Sequence, residues 1–138
     1  MKAKKKAVAA GHVCIDITPI FPGGMRNKAE NILLPGKLIH VNGADVHTGG
    51  SVSNTGTAMK LLGAQVRLAG KVGDDDFGKL VLQKLREWDA DGDMIVSEKA
   101  NTSYSVVLAI PGMDRIFIHD AGANDEFVSA DVKDALLK

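Results

Sequence analysis

The chain has 138 residues, 45% of them hydrophobic and 25% charged, with 17 basic side chains balanced by 17 acidic ones. One core can be buried at this length, and a net charge of zero leaves no electrostatic footprint for nucleic acid or an anionic membrane surface. The single cysteine, Cys14, excludes an intrachain disulfide, and no apolar run approaches the ~20 residues of a membrane span, so a cytoplasmic protein is expected.

The basic run at the start (Lys2, Lys4, Lys5 and Lys6) reads as a solvated arm, with no signal-peptide apolar core behind it because Gly11, His12 and Asp16 interrupt the pattern. Ala7 to Ile15, rich in small and β-branched residues, predicts a buried first strand in which Cys14 is an inert thiol. Pro19, Pro22, Gly23 and Gly24 break that pattern. Lys37–Val41 and Ala44–Thr48 are short strand candidates around Asn42-Gly43, a tight-turn dipeptide whose residues tolerate positive φ.

The next stretch, HTGGSVSNTGTAMKLLGAQ from His47 to Gln65, places two glycines before an asparagine and a helix. Ala58, Leu61 and Leu62 are spaced for one helix face, and Gly63 stands where the helix should end. Gln65–Gly73 alternates as a strand, and DDDFGKLVLQKLREW follows as a helix with acids at its N-terminal end and Leu80, Val81, Leu82, Leu85 and Trp88 behind. DMIVSE is a further strand. Tyr104–Ile110 and Arg115–His119 read as a hairpin through Pro111–Asp114, and SADVKDALLK as a closing helix with Ser129 as N-cap and Val132, Leu136 and Leu137 inward. Strands alternating with helices predict an α/β fold with a largely parallel sheet, antiparallel hairpins beside it, and a sheet that looks unfinished at Lys138.

The glycine pair does not hold a phosphate in either familiar way. A Walker loop needs a lysine that Gly49–Gly56 lacks, and a dinucleotide fingerprint needs spaced glycines directly after the first strand. Backbone at Gly49 and Gly50 could approach a ligand closely, and Asn54 carries both a donor and an acceptor, which suits an uncharged polyol. The same pattern is also met by a turn whose asparagine merely caps. The run Asp74–Asp76 suggests a hard cation, yet consecutive carboxylates rarely converge on one ion, and acids are expected at a helix start. DADGD from Asp89 to Asp93 fails as a calcium loop because Met94 and Ala100 stand where glycine and glutamate are needed. His12, His40, His47 and His119 share no metal-ligand spacing, and His47 beside the glycines reads as an ordinary strand or loop histidine.

GGSVSNTGTAMKLLGAQVRLAGKVGDDDFG resembles the first signature of the ribokinase-like (PfkB) carbohydrate kinases, matched by Gly49, Gly50, Asn54, Gly63, Gly70, Val72, Gly73, Asp74, Asp76 and Gly78. GHVCIDI resembles the family's first strand, which ends in a sugar-binding aspartate, here Asp16; the segment from Thr102 to Asn124 resembles its lid hairpin with a closing G-A-N element. The resemblance implies a Rossmann-like layered sheet with flanking helices plus a small β-sheet lid, with lid strands within 14–22, 37–48 and 104–119 of a unit spanning 1–138. It implies a sugar or nucleoside substrate, with Asp16 accepting vicinal hydroxyls, Gly49 and Gly50 giving backbone contact and Asn54 binding a further hydroxyl. A homodimer through the lid is also implied.

ATP and Mg2+ are the cofactors that the family uses. Its second signature, G-A-G-D, supplies the base, but the nearest string here is Ala121-Gly122-Ala123-Asn124, whose amide cannot take a proton. The expectation is therefore the N-terminal half of a sugar kinase, with no catalytic base, metal site or nucleotide pocket in this chain and no cofactor for it alone. The alternative is a non-catalytic sugar-binding or dimerising fragment.

Overall fold

In the computed structural model, residues 6–23 and 32–132 are described. They form two sheets and two α-helices. One sheet is three-stranded and parallel, built from β1 (Lys6–Ala10), β4 (Gln65–Gly73) and β5 (Asp93–Ser97) in the order β1-β4-β5. Helix α1 (Gly50–Leu61) precedes β4 and helix α2 (Asp76–Arg86) follows it, as the alternation predicts. The main core joins Val66, Leu68 and Val72 of β4 to Val52 of α1, Val81 and Leu85 of α2, and Val13 and Ile15.

The second sheet has the order β3-β2-β6-β7, with β2 (Cys14–Pro19), β3 (Ala44–Gly49), β6 (Tyr104–Leu108) and β7 (Ile116–Asp120). Its β2–β3 and β6–β7 pairs are antiparallel and its central β2–β6 pair is parallel. Phe21, Ile32, Leu108 and Ile110 form a smaller core, packed by Ile39, Val106, Met113 and Ile116.

The expected first strand is two strands in different sheets. Gly11, at φ 132°, a value reached easily only without a side chain, ends β1, and the chain re-enters as β2. The expected strand at Lys37–Val41 does not form. Residues 44–49 pair instead with β2, and the Ile20 and Asn42 amides exchange bonds with Gly43 and Ile20 carbonyls to extend that ladder. Only Gly43 of the turn dipeptide has positive φ, 105°.

The inward face of α1 is also corrected. Val52, Ser53 and Gly56 are buried, whereas Leu61 and Leu62 are 68% and 88% exposed and Ala58 is exposed too. Gly56 decides this, because a Cβ there would meet Leu68 Cγ at 2.5 Å, so the helix rests its small-residue face on β4. The stop at Gly63 holds: its amide bonds Lys60 and that of Ala64 bonds Met59, the paired bonds of a left-handed helix cap. In α2, Val81 and Leu85 are inward, but Trp88 lies past the helix and is 41% exposed. Ser129 does not cap a helix; it begins a short 3-10 turn, Ser129–Asp131, with Val128 before it. Leu136 and Leu137 lie outside the described residues. Among the described residues no helix is long and apolar enough to cross a membrane.

Candidate functional site

The junction between the two sheets is where the sequence-predicted residues meet. Val13, fully buried, begins β2's course, and both its main-chain groups are held by one side chain. The Val13 amide donates to Asn124 Oδ1 at 3.1 Å, and Asn124 Nδ2 donates to the Val13 carbonyl at 3.0 Å. Asn124 stands in the 3-10 turn Gly122–Glu126 and also donates to the Ala121 carbonyl. Its role is thus to clamp backbone, which a buried amide–carbonyl pair requires.

Asp16 follows on β2, half-buried. Its register partner in β3 is His47, and Gly49 pairs with Cys14, so the carboxylate lies against the start of α1. Gly49 has no side chain for a physical reason: a Cβ there would collide with the Asp16 carboxylate. Gly50, at φ 88°, begins the helix, and a Cβ on it would sit 2.5 Å from the His12 carbonyl oxygen. The same His12 carbonyl accepts the Val52 amide, pinning the helix start to the β1–β2 junction. Ser53 Oγ donates to the Gly49 carbonyl at 2.5 Å. Asn54 is exposed one turn beyond Gly50 on the same helix flank, and it does not cap: its side chain makes no hydrogen bond among the described residues. Asp16 lies against Gly49, Gly50 follows at the helix start beside His12, and Asn54 stands one turn further along α1.

Cys14 is 2% exposed, and its Sγ donates to Asp16 Oδ1 at 3.4 Å. Burial, and then the Asp16 charge, push this thiol up to about 12, so it is an inert donor to the carboxylate. His12, Ser103, Ser105 and His119 also gather here, a grouping that sequence spacing does not reveal. Ser105 Oγ lies 3.0 Å from His119 Nδ1, and the His12 and His119 rings meet edge to face at 5.3 Å between centroids. Ser103 Oγ gives its one proton to the Asp120 carbonyl at 2.7 Å, so at 3.4 Å it can only accept from His12 Nε2. Burial foremost, then repulsion from His119, hold His12 below its ordinary 6.5 against the opposing pull of Asp16.

The aspartate run behaves as a cap. Asp75, rather than Asp74 or Asp76, is the N-cap of α2, accepting the Gly78 amide at 2.7 Å and both the amide and hydroxyl of Thr102 at 2.7 Å. Burial raises its carboxyl, but these three bonds together outweigh burial and hold it below the usual 3.8. Among the described residues no group of three or more His, Cys, Asp or Glu side chains could hold a metal ion. A cleft of about 420 Å³ opens at the start of α2, lined by Asp75, Phe77, Tyr104 and Asp120 among others, and none of Asp16, Gly49, Gly50 and Asn54 lines it.

The family model for pfkB family carbohydrate kinases matches residues 5–138. No curated protein matches the chain. Among solved structures, it is similar to ribokinase from Giardia lamblia, with TM-score 0.74 and 21% identity over 96% of this chain and 39% of that one. Fructokinase with bound ATP from Xylella fastidiosa gives 0.71 and 22% over 96% and 39%, a likeness of fold. Ribokinase from Cryptococcus neoformans var. grubii serotype A in complex with ADP gives 0.65 and 26% over 88% and 36%. The chain therefore spans under two fifths of the length of each of these three relatives. With the predicted motifs in order along a matching fold, the chain belongs to the PfkB family of carbohydrate kinases.

Proposed function

We propose that this chain supplies the sugar side of a kinase that phosphorylates a sugar or nucleoside hydroxyl, with Asp16, Gly49, Gly50 and Asn54 as substrate-binding residues. The observation that carries the reading is the seating of the Asp16 carboxylate against Gly49 at the start of α1. A carboxylate so placed accepts two vicinal hydroxyls at once, and it fixes the sugar relative to the helix. Asn54, exposed and without a partner among the described residues, is available for another hydroxyl. The four-stranded sheet acts as the lid; its closure would exclude water that competes as phosphoryl acceptor.

ATP with Mg2+ would supply the phosphoryl group in the complete reaction. In this reading neither is held by this chain. Asn124 cannot serve as a base because its amide is engaged with Val13, and Asp125 is exposed in a five-residue 3-10 turn. This chain alone is therefore expected to transfer no phosphoryl group, and turnover of ATP by the pure 138-residue protein would refute that part. Phe117 and Ile118, 57% and 56% exposed on the outer strand β7, support a homodimer through the lid, which sedimentation would reveal. A buried free thiol and an ATP donor fit a cytoplasmic setting.

Calorimetric titration of D-ribose, D-fructose and adenosine tests the sugar site. Asp16→Ala should weaken the bound ligand by about 1.5–3 kcal/mol, the range for hydrogen bonds to a charged group. Unchanged affinity in that variant would reject the assignment.

A further inference from the structure

Four residues from four strands stand in one register row. His47 of β3 pairs with Asp16 of β2, Asp16 with Ser105 of β6, and Ser105 with His119 of β7. Directly paired residues on neighbouring strands project to the same face of a sheet, so this row is a polar stripe running across the whole second sheet. The rows beside it lie on the opposite face and are largely apolar, for example Val46, Ile17, Val106 and Ile118. A carboxylate, a hydroxyl and two imidazoles on one face are an arrangement for grasping several hydroxyls.

We propose that His119 is a specificity-determining residue of this site, meeting a hydroxyl of a monosaccharide at the end remote from the hydroxyls held by Asp16. The inference rests on the sugar-site reading above. Three features single out His119 rather than His47. Its Nδ1 is engaged by Ser105 Oγ at 3.0 Å, and its ring is braced edge-on by His12, so the imidazole is oriented before any ligand arrives. Its other nitrogen, Nε2, has no hydrogen-bond partner among the described residues, and the residue is exposed. Lastly, Asp16 and His119 are two strands apart, about 10 Å at ordinary strand spacing, which accommodates one sugar ring with a hydrogen bond at each end. His47, by contrast, is a single strand from Asp16, and among the described residues no hydrogen-bond partner orients its ring.

A sugar bonded at one end by a carboxylate and at the other by an oriented imidazole is selected by its far end as well as by its diol. Sugars that share the diol at Asp16 and differ at the remote hydroxyl are then distinguished by His119, because a site built to bond a hydroxyl leaves its own polar group unpaired when that hydroxyl is missing.

The test uses the full 138-residue chain with D-ribose and D-fructose as probes, read by imidazole 1H–15N NMR and by titration calorimetry. The His119 ring signals should shift on saturation with the preferred sugar while those of His40, outside the row, stay in place. His119→Ala should weaken that sugar by about tenfold, the loss of one net hydrogen bond, and change the ribose-to-fructose preference. His119→Asn, which keeps a donor and an acceptor, should recover part of it. Should Asp16→Ala lose binding while His119→Ala keeps both affinities within about twofold, the inference is overturned and the sugar site stands. Binding of neither sugar by the wild type overturns this inference, and failure of adenosine as well overturns the sugar-site reading with it.

Discussion

The Asp16 carboxylate occupies the volume that a side chain on Gly49 would need. Gly49 has extended backbone, φ −117°, so its identity is set by this contact and owes nothing to a special dihedral. Gly49→Ala should therefore displace the carboxylate, destabilising the fold by about 1–3 kcal/mol as an overpacking substitution. In an Asp16→Ala background the same change should be nearly free, since the colliding group is gone. Urea unfolding of the four members of this cycle gives the coupling directly; an equal effect in both backgrounds would contradict it.

Asn124 is the only side chain seen to bond both main-chain groups of Val13 among the described residues. Asn124→Ala leaves that amide and carbonyl unpaired beside a fully buried side chain, and about 2–4 kcal/mol of stability should be lost. Asn124→Asp is more informative. Its oxygen still accepts from the amide, but an ionised carboxylate cannot donate to the carbonyl. Part of the deficit should return on acidification, as the protonated acid regains a donor, relative to wild type at each pH in thermal melts.

Asp75 links the start of α2 to Thr102 through three hydrogen bonds. Its folded carboxyl titrates below 3.8, so its contribution is fully present above that value and is lost as pH falls through the folded value. Asp75→Ala should cost about 1.5–3 kcal/mol at neutral pH, combining cap and charged hydrogen bonds, and should flatten the acid limb of the stability curve. A variant curve running parallel to wild type down to strong acid would exclude this account.

His12 acts with the same sign through the opposite chemistry. Its folded imidazole titrates below 6.5, so between those two values the unfolded chain binds more protons. Stability should rise with pH across that window and reach its full value above about 6.5. His12→Asn should reduce the gain in melting temperature between about pH 5 and about pH 7.5. An unchanged gain would mean that His12 takes no part in it.

Local chemistry made much of this fold legible. Strand β4 falls on Gln65–Gly73 as its alternation requires, and Gly63 closes α1 because a left-handed position needs no Cβ. The inward face of α1 is not legible in the sequence because Leu61 and Leu62 carry a strong hydrophobic signal, while the face in contact with Leu68 needs small residues. Lys37–Val41 has strand-like composition, but the partner of Ala44–Gly49 is β2, far back in the chain, and pairing at that distance leaves no local signature. The site shows the same division. Asp16, Gly49, Gly50 and Asn54 lie in recognisable motifs, whereas the row of His47, Asp16, Ser105 and His119 exists only once four strands are in register.

The clamp on Val13 also orders events during synthesis. The residue that secures the bend between the first two strands is made 111 positions after it. Helix α1 and strand β4 can dock as they emerge, but the bend between β1 and β2 stays unfastened until Asn124 has left the ribosome. A nascent chain stalled before Asn124 carries Asp16 and the Gly49–Asn54 stretch and, on the proposed reading, should hold no sugar.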